Sequence, residues 1–298
     1  MCQARAIALA CIDIGSNTTR LLVAEVAGGR LVELGADRAF THLGRAAAAH
    51  GGVVPEAKLA EIAAVVTRQA GLARSLGAGR IEVVATAALR EARNGADAVA
   101  ALERDTGLPV RVLSGDEEGR LAFAGAARAL QPPVAGPLAV VDVGGGSTEV
   151  AVGTVTGGAE RCQSFRVGSG VLADAYLGAD PPGAGELEAL RRHARAELEG
   201  LAVGPVEAVV AVGGSATSLR RLVGAALDAE ALGRALALLA ATPAAEVAAR
   251  FGLDAERVRL LPAGIGILEA VALRIGRAPV VGSGGLREGL LLALAAGG

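Results

Sequence analysis

Two short segments of this chain carry the residue types that phosphate chemistry needs. Residues 9–29 read LACIDIGSNTTRLLVAEVAGG and residues 138–158 read LAVVDVGGGSTEVAVGTVTGG, and the two align without a gap. Each is an apolar run, then D-x-G-x-x-x-T, then a second apolar run, then Gly-Gly. Glycine lets the backbone approach a ligand closely, so that consecutive N–H groups converge on a phosphate oxygen. Gly15 with Ser16, Asn17, Thr18 and Thr19 supplies such a turn, and Gly144, Gly145 and Gly146 with Ser147 and Thr148 supply the other. A chain with 43 Gly contains one Gly-Gly-Gly by chance, but not a two-fold recurrence of the whole pattern. The carboxylate before each turn, Asp13 or Asp142, would repel a bare phosphate. It makes sense if it holds a divalent cation that neutralises the phosphates. The structural alternative is that each Asp caps its own turn.

Further candidates follow other apolar runs. Ser114-Gly115-Asp116-Glu117-Glu118 comes after VRVL, and Ser114 with Glu117 fits a capping box that opens a helix. That leaves Glu118 free to serve as a general base or simply to compensate the helix dipole. Arg90 and Arg93 in TAALREARN suit bidentate phosphate binding, or are solvated helix arginines. Gly213, Gly214 and Ser215, and then Gly282 to Gly285, sit between a strand and a helix, where N-termini bind phosphate but tight turns also occur. His42, His50 and His193 have no metal-ligand spacing and receive no role.

The elements that must position these residues alternate. Each repeat reads as a β-hairpin around its glycine turn, with a third strand after the Gly-Gly. Helical periodicity is expected over 56–76, 96–105, 115–130, 185–202, 215–223, 229–240, 243–251, 264–275 and from 286, with Thr242 as an N-cap before Pro243. Strands are expected over 81–85, 110–113, 207–212 and 279–282. The class is α/β. Two domains are expected, 1–124 and 125–298, meeting near the linker QPPVAGP, with the last helix packing back on the first.

Composition narrows the partners. Lys+Arg 29 against Asp+Glu 31 gives a net charge of -2, which provides no electrostatic pull toward nucleic acid or an anionic membrane. With no Trp, one Tyr and four Phe there is no base-stacking platform. Lys58 is the only Lys, so a Walker-type lysine is excluded and phosphate must be met by backbone N–H, Arg, hydroxyls and metal. Three cysteines without ligand spacing, no membrane-length apolar run and no cleavage pattern after MCQARAIALA point to a reducing, cytoplasmic setting.

At these motifs the chain resembles the exopolyphosphatase and guanosine pentaphosphate phosphohydrolase (Ppx/GppA) family. The resemblance runs through IDIGSNTTRLLVAEV, VVATAALREARN, VLSGDEEGRLAFAGA, VVDVGGGSTEVAVG, VVAVGGSATSL, RVRLLPAGIGILEAV and GSGGLREGLL, in the family's order. It implies two actin-like (ribonuclease H-like, sugar-kinase-like) domains around a cleft. It implies that Glu118 is the catalytic base, that Asp142 and Glu149 handle metal and water, and that Arg90 binds phosphate, with Asp13 the further metal candidate from its place before the first turn. The implied cofactor is Mg²⁺ or another divalent cation such as Mn²⁺. The implied substrate is inorganic polyphosphate, hydrolysed from its end. The alternatives are guanosine pentaphosphate, an ATP-dependent phosphotransfer, or a sensor that binds without turnover. A homodimer is left open. Longer members carry a C-terminal domain with His-Asp motifs, and three histidines are too few for one, so a short form is expected. Ser169, Gly170 and Arg259 depart from the family's pattern.

Overall fold

The computed structural model describes residues 8–27 and 30–297. The Gly28-Gly29 turn, Cys2 and the start of the first domain therefore lie outside the described residues. Ten strands form two sheets: β1 Ala8–Ile14, β2 Thr18–Ala27, β3 Arg30–Phe40, β4 Ala78–Ala85 and β5 Val110–Val112 in the first, and β6 Leu138–Val143, β7 Thr148–Thr154, β8 Gly158–Phe165, β9 Ala208–Val212 and β10 Val280–Val281 in the second. The first sheet has the order β3-β2-β1-β4-β5, and the second, β8-β7-β6-β9-β10, is the same order over again. In both, the first three strands are antiparallel and the fourth and fifth join in parallel. The fold is α/β with the same mixed five-stranded sheet built twice, the duplicated arrangement that the repeat and the resemblance imply.

Strand alternation sorts each sheet into two faces. Ala8, Ala10, Ile12 and Ile14 of β1 face the helices Glu56–Ser75 and Gly95–Thr106, while Leu9 and Cys11 face Leu286, Leu290 and Leu291 of the helix Leu286–Ala296. In the second sheet Ala139, Val141 and Val143 face the larger helical layer, and Leu138 and Val140 face Phe123, Ala126 and Ala127 of the helix Gly115–Ala129. Each leucine or phenylalanine buried there stabilises the fold by about 1.5–3 kcal/mol. The helix Gly115–Ala129 thus lies under the second sheet and the helix Leu286–Ala296 under the first. The expected boundary at 124/125 falls inside the former helix.

These two helices pack against each other with almost no side chain between them. A Cβ on Gly125 would stand 2.8 Å from the Gly285 nitrogen and 2.9 Å from the Gly289 nitrogen, and one on Gly289 would overlap the Leu121 carbonyl. Only hydrogen at these positions allows so close an approach.

Several local expectations change. The helix expected from Thr242 starts at Ala244 with Pro243 as its N-cap, because the Ala244 N–H is met at 2.9 Å by Asp180 Oδ1 rather than by Thr242. The helix expected at 264 begins at Leu261 with Pro262 in its first turn, where the missing N–H costs nothing. Helices Leu43–Ala49 and Ser169–Tyr176 were not expected, since LGRAAAA and SGVLADAY are short and open beside glycines. Among the described residues no helix is long and apolar enough to cross a membrane.

Candidate active site

A cavity of about 290 Å³ lies between the two glycine turns. Its wall includes Asp13, Gly15, Ser16, Asn17 and Thr18 from the first turn and Asp142, Gly144, Gly145, Gly146, Ser147 and Glu149 from the second, together with Glu118, Gly213 and Gly214. Asp13 and Asp142 are the penultimate residues of β1 and β6, where an otherwise apolar strand carries a carboxylate.

The turns are built alike. The Ser16 carbonyl accepts from the Gly44 N–H at 2.8 Å, and the Asn17 carbonyl accepts from Thr41 and His42 at 3.1 Å. In the second turn the Gly144 carbonyl accepts from Ser169 at 2.9 Å, and the Gly145 carbonyl from Gly170 and Val171 at 3.0 Å. Orphan N–H groups at the starts of the helices Leu43–Ala49 and Ser169–Tyr176 thereby hold the turn carbonyls. In a planar trans peptide the N–H points opposite to the C=O. The N–H groups of Asn17, Gly145 and Gly146 are therefore turned away from those helices. Ser169 and Gly170, atypical in sequence, act as the buttress of the second turn.

Glu118 and Glu149 form the acidic part of the site, with 5% and 4% exposure. The capping box forms: Ser114 Oγ accepts from the Glu117 N–H at 3.2 Å and Glu117 returns the bond to the Ser114 N–H at 2.8 Å. With Glu117 so occupied, Glu118 points into the cavity. Burial, and then the facing Glu149, push its carboxyl well above the usual range, against the pull of the Arg90 guanidinium. Burial and Asp142 push Glu149 up likewise, opposed by hydroxyl donors Ser164, at 2.8 Å, and Ser147. Two such carboxyls, each raised by burial and a neighbouring charge, are suited to take up or release a proton near neutral pH.

The wall also carries cationic groups. Arg20, Arg257 and Arg287 line the cavity, and Arg20 and Arg287 continue with Arg38 into an adjoining recess of about 320 Å³. Burial, then Arg20 and Arg38, lower Arg257 to about 9, and its Nε is buried without a partner. Burial and Arg287 lower Arg20. Mutually repelling guanidiniums in a half-dry site favour a multiply charged anion between them. Gly213 has φ +85°, and a Cβ there would crowd Asp142 Oδ1, so glycine is needed on both counts.

Four expected site residues lie off the cavity wall. Thr19 and Thr148 occupy equivalent positions in the repeat and both turn into the core, where Thr19 Oγ1 meets Thr41 Oγ1 at 3.2 Å and Thr148 Oγ1 donates to the Val167 carbonyl. Ser215 is fully buried against Gly264. Arg90 stands behind the wall, paired with Glu118 and donating to the Leu113 carbonyl at 2.8 Å. Residues that sequence reasoning passed over include Arg20, Thr86, Thr217, Arg257, Arg287 and Glu288, while Ser283, Gly284 and Gly285 of the last glycine turn do line the cavity. Arg257, not Arg259, is the arginine of the RVRLL segment that reaches the cavity, while Arg259 lines a separate small pocket.

A family model described as the Ppx/GppA phosphatase family matches residues 22–296. The chain belongs to that family. It is a hydrolase. Exopolyphosphatase 1 of Mycobacterium tuberculosis is 32% identical over 303 residues, covering 95% of this chain and 87% of its own. Exopolyphosphatase 2 of the same organism is 34% identical over 228 residues, covering 72% of this chain and 70% of its own. The crystal structure of the Aquifex aeolicus Ppx/GppA family member superposes with a TM-score of 0.80 at 28% identity, covering 98% of both chains. Phosphatases of the Ppx/GppA family generally use a divalent cation. Among the described residues no group of three or more His, Cys, Asp or Glu is placed to hold a metal ion by itself. The donors that fit one are Asp13, whose Oδ1 is buried without a hydrogen-bond partner, and Asp142, whose buried carboxyl is pushed up in part by Asp13, a repulsion that a cation between them would relieve.

Proposed function

We propose that this hydrolase is an exopolyphosphatase that removes the terminal phosphate of short inorganic polyphosphate chains. The observation that carries this reading is a single cavity lined by two sets of groups, the glycine turns with Arg20, Arg257 and Arg287, and the buried pair Glu118 and Glu149. The first grips an anionic phosphoanhydride. The second manages the proton of an attacking water.

In this reading the terminal phosphate lies between the turns Gly15–Thr18 and Gly144–Ser147, and the rest of the chain runs past Arg20 and Arg287. Glu118, set by Arg90, takes the proton of the water, and Glu149 orients that water. Arg20, Arg257 and the turn N–H groups meet the charge that grows on the phosphoryl oxygens and the leaving phosphate. Asp13 and Asp142, with Glu149 beside them, would hold Mg²⁺ or Mn²⁺, which neutralises phosphate charge when bound. The names of the relatives support polyphosphate as substrate. Guanosine pentaphosphate is the second reading, favoured by the recess beyond Arg20 and Arg287, where a nucleoside on the end of the chain would sit.

The test is phosphate release by the purified protein with Mg²⁺ from short polyphosphate, long polyphosphate, guanosine pentaphosphate and ATP, with Glu118→Ala alongside. Short polyphosphate ranking first, with release in Glu118→Ala reduced about 10²–10⁴-fold, is the expected result. A higher rate on guanosine pentaphosphate favours the second reading. Binding without release from any substrate overturns both.

A further inference from the structure

His42 has no ligand spacing in the sequence, yet its place in the fold is unusual. It is the one non-glycine among the described residues with positive φ, at φ 46° and ψ 37°. A left-handed histidine persists only where its surroundings hold it. They do so from both lobes. Its backbone N–H donates to the Asn17 carbonyl at 3.1 Å, and its Nδ1 lies 2.9 Å from Asn17 Oδ1. Its Nε2 lies 2.8 Å from Glu256 Oε2, beside the cavity residue Arg257. The ring stacks on Phe40 with centroids 5.9 Å apart. An amide oxygen can only accept, so Nδ1–H is the donor to Asn17 Oδ1.

The consequence falls on Asn17. An Asn amide is a two-sided group, and the ring claims its oxygen side. Its nitrogen side is then left over: Asn17 Nδ2 is buried and has no hydrogen-bond partner, in a residue that lines the cavity. A buried amide donor without a partner is costly unless a ligand supplies one. Were the amide turned over, its oxygen would face an incoming phosphate and repel it.

We propose that His42 is a positioning residue that fixes the Asn17 amide with its NH₂ toward the terminal phosphate of the substrate. This rests on the phosphoanhydride reading above. Because the same ring also contacts Glu256, the donor is set in place by a residue that bridges the two lobes.

The test is a double-mutant cycle of His42→Gly and Asn17→Ala, read as kcat and KM on tripolyphosphate, with Tm measured for each protein. Glycine suits φ 46°, so His42→Gly removes the ring without breaking the backbone and keeps its Tm. The expected loss in kcat is about ten-fold for His42→Gly and at least as much for Asn17→Ala, with KM changing less. The double variant is expected to be no slower than Asn17→Ala alone, because His42 acts through Asn17. Added imidazole, or His42→Asn, which tolerates the left-handed region, is expected to restore part of the rate to the intact Asn17 protein only. Wild-type kcat in His42→Gly, or the same fold loss in both Asn17 backgrounds, overturns the proposal. If the wild type releases no phosphate, the substrate reading fails separately, and the cycle is read in the Tm rise that tripolyphosphate causes. There, equal rises in wild type and His42→Gly, or no rise at all, overturn it.

Discussion

The hairpin β1–β2 and the hairpin β6–β7 are copies that differ where it matters most. In each, the aspartate at the end of the first strand is directly opposed by a residue of the second: Asp13 faces Arg20, and Asp142 faces Glu149. Both turns spend their carbonyls on the following helix in the same way. A single position therefore separates a cationic half-site from an acidic one. Duplication supplies a symmetrical cradle for phosphate, and one exchange of charge gives it direction. In the proposed reading Arg20 of the first hairpin meets the anion, and Glu149 of the second handles the proton.

The largest expected effect tests this division directly. Glu149→Gln should reduce kcat by about 10²–10³-fold with little change in KM. Arg20→Ala should instead act mainly on KM, raising it about 10–100-fold for polyphosphate, the loss of one charge-assisted contact. Steady-state kinetics on both variants checks it, and identical patterns of loss would break the comparison.

A smaller effect is expected where the two halves are held in register. Glu118 begins one of the two crossing helices and Arg287 begins the other. Gly125→Ala forces them apart and should cost about 1–3 kcal/mol of stability in urea denaturation, with activity falling alongside. Gly71, on the exposed face of the helix Glu56–Ser75 with nothing within 4 Å, is the control. There Gly71→Ala should stabilise by about 0.5–1 kcal/mol.

The smallest effect separates the two aspartates. Burial outweighs the attraction of Arg20 and raises Asp142 from 3.8 to about 6. Burial also raises Asp13, against Arg287 and Arg20. A carboxyl raised in the folded state contributes stability below its unfolded value and loses it as pH rises through the folded one. At pH 8 without divalent cation, Asp142→Asn should therefore be more stable than wild type by about 1–2 kcal/mol, since the cavity admits water and reduces the full linkage value. The gain should vanish by pH 4, and Asp13→Asn, where Arg287 and then Arg20 oppose the rise, should gain less at pH 8. Urea midpoints at the two pH values measure it.

Much of the fold was legible because the repeat is local. Apolar runs, glycine turns and a capping box name the hairpins, the helix of Glu118 and the alternating layers. What was misread follows from strand alternation and long-range packing. Thr19 and Thr148 look like further turn hydroxyls, but the period of two turns them toward the helical layer and leaves Thr18, Arg20 and Glu149 facing the other way. The pairing of Asp13 with Arg20 was available in the hairpin register and would have signalled it. Arg257 and Arg287 carry no such signal. They reach the cavity from segments far along the chain, and nothing near His42 in sequence announces Asn17 or Glu256.

The exchange of helices beneath the sheets also governs the order in which the molecule can be completed. The upper face of the first sheet is covered by segments that follow it closely, but Leu9, Cys11, Leu22, Ala24, Val84 and Leu113 wait for Leu286, Leu290 and Leu291. A chain emerging from the ribosome therefore carries an apolar underside on its first lobe until the second has been made. The cavity cannot acquire Arg287 before that underside is closed, so this part of its charge arrives last.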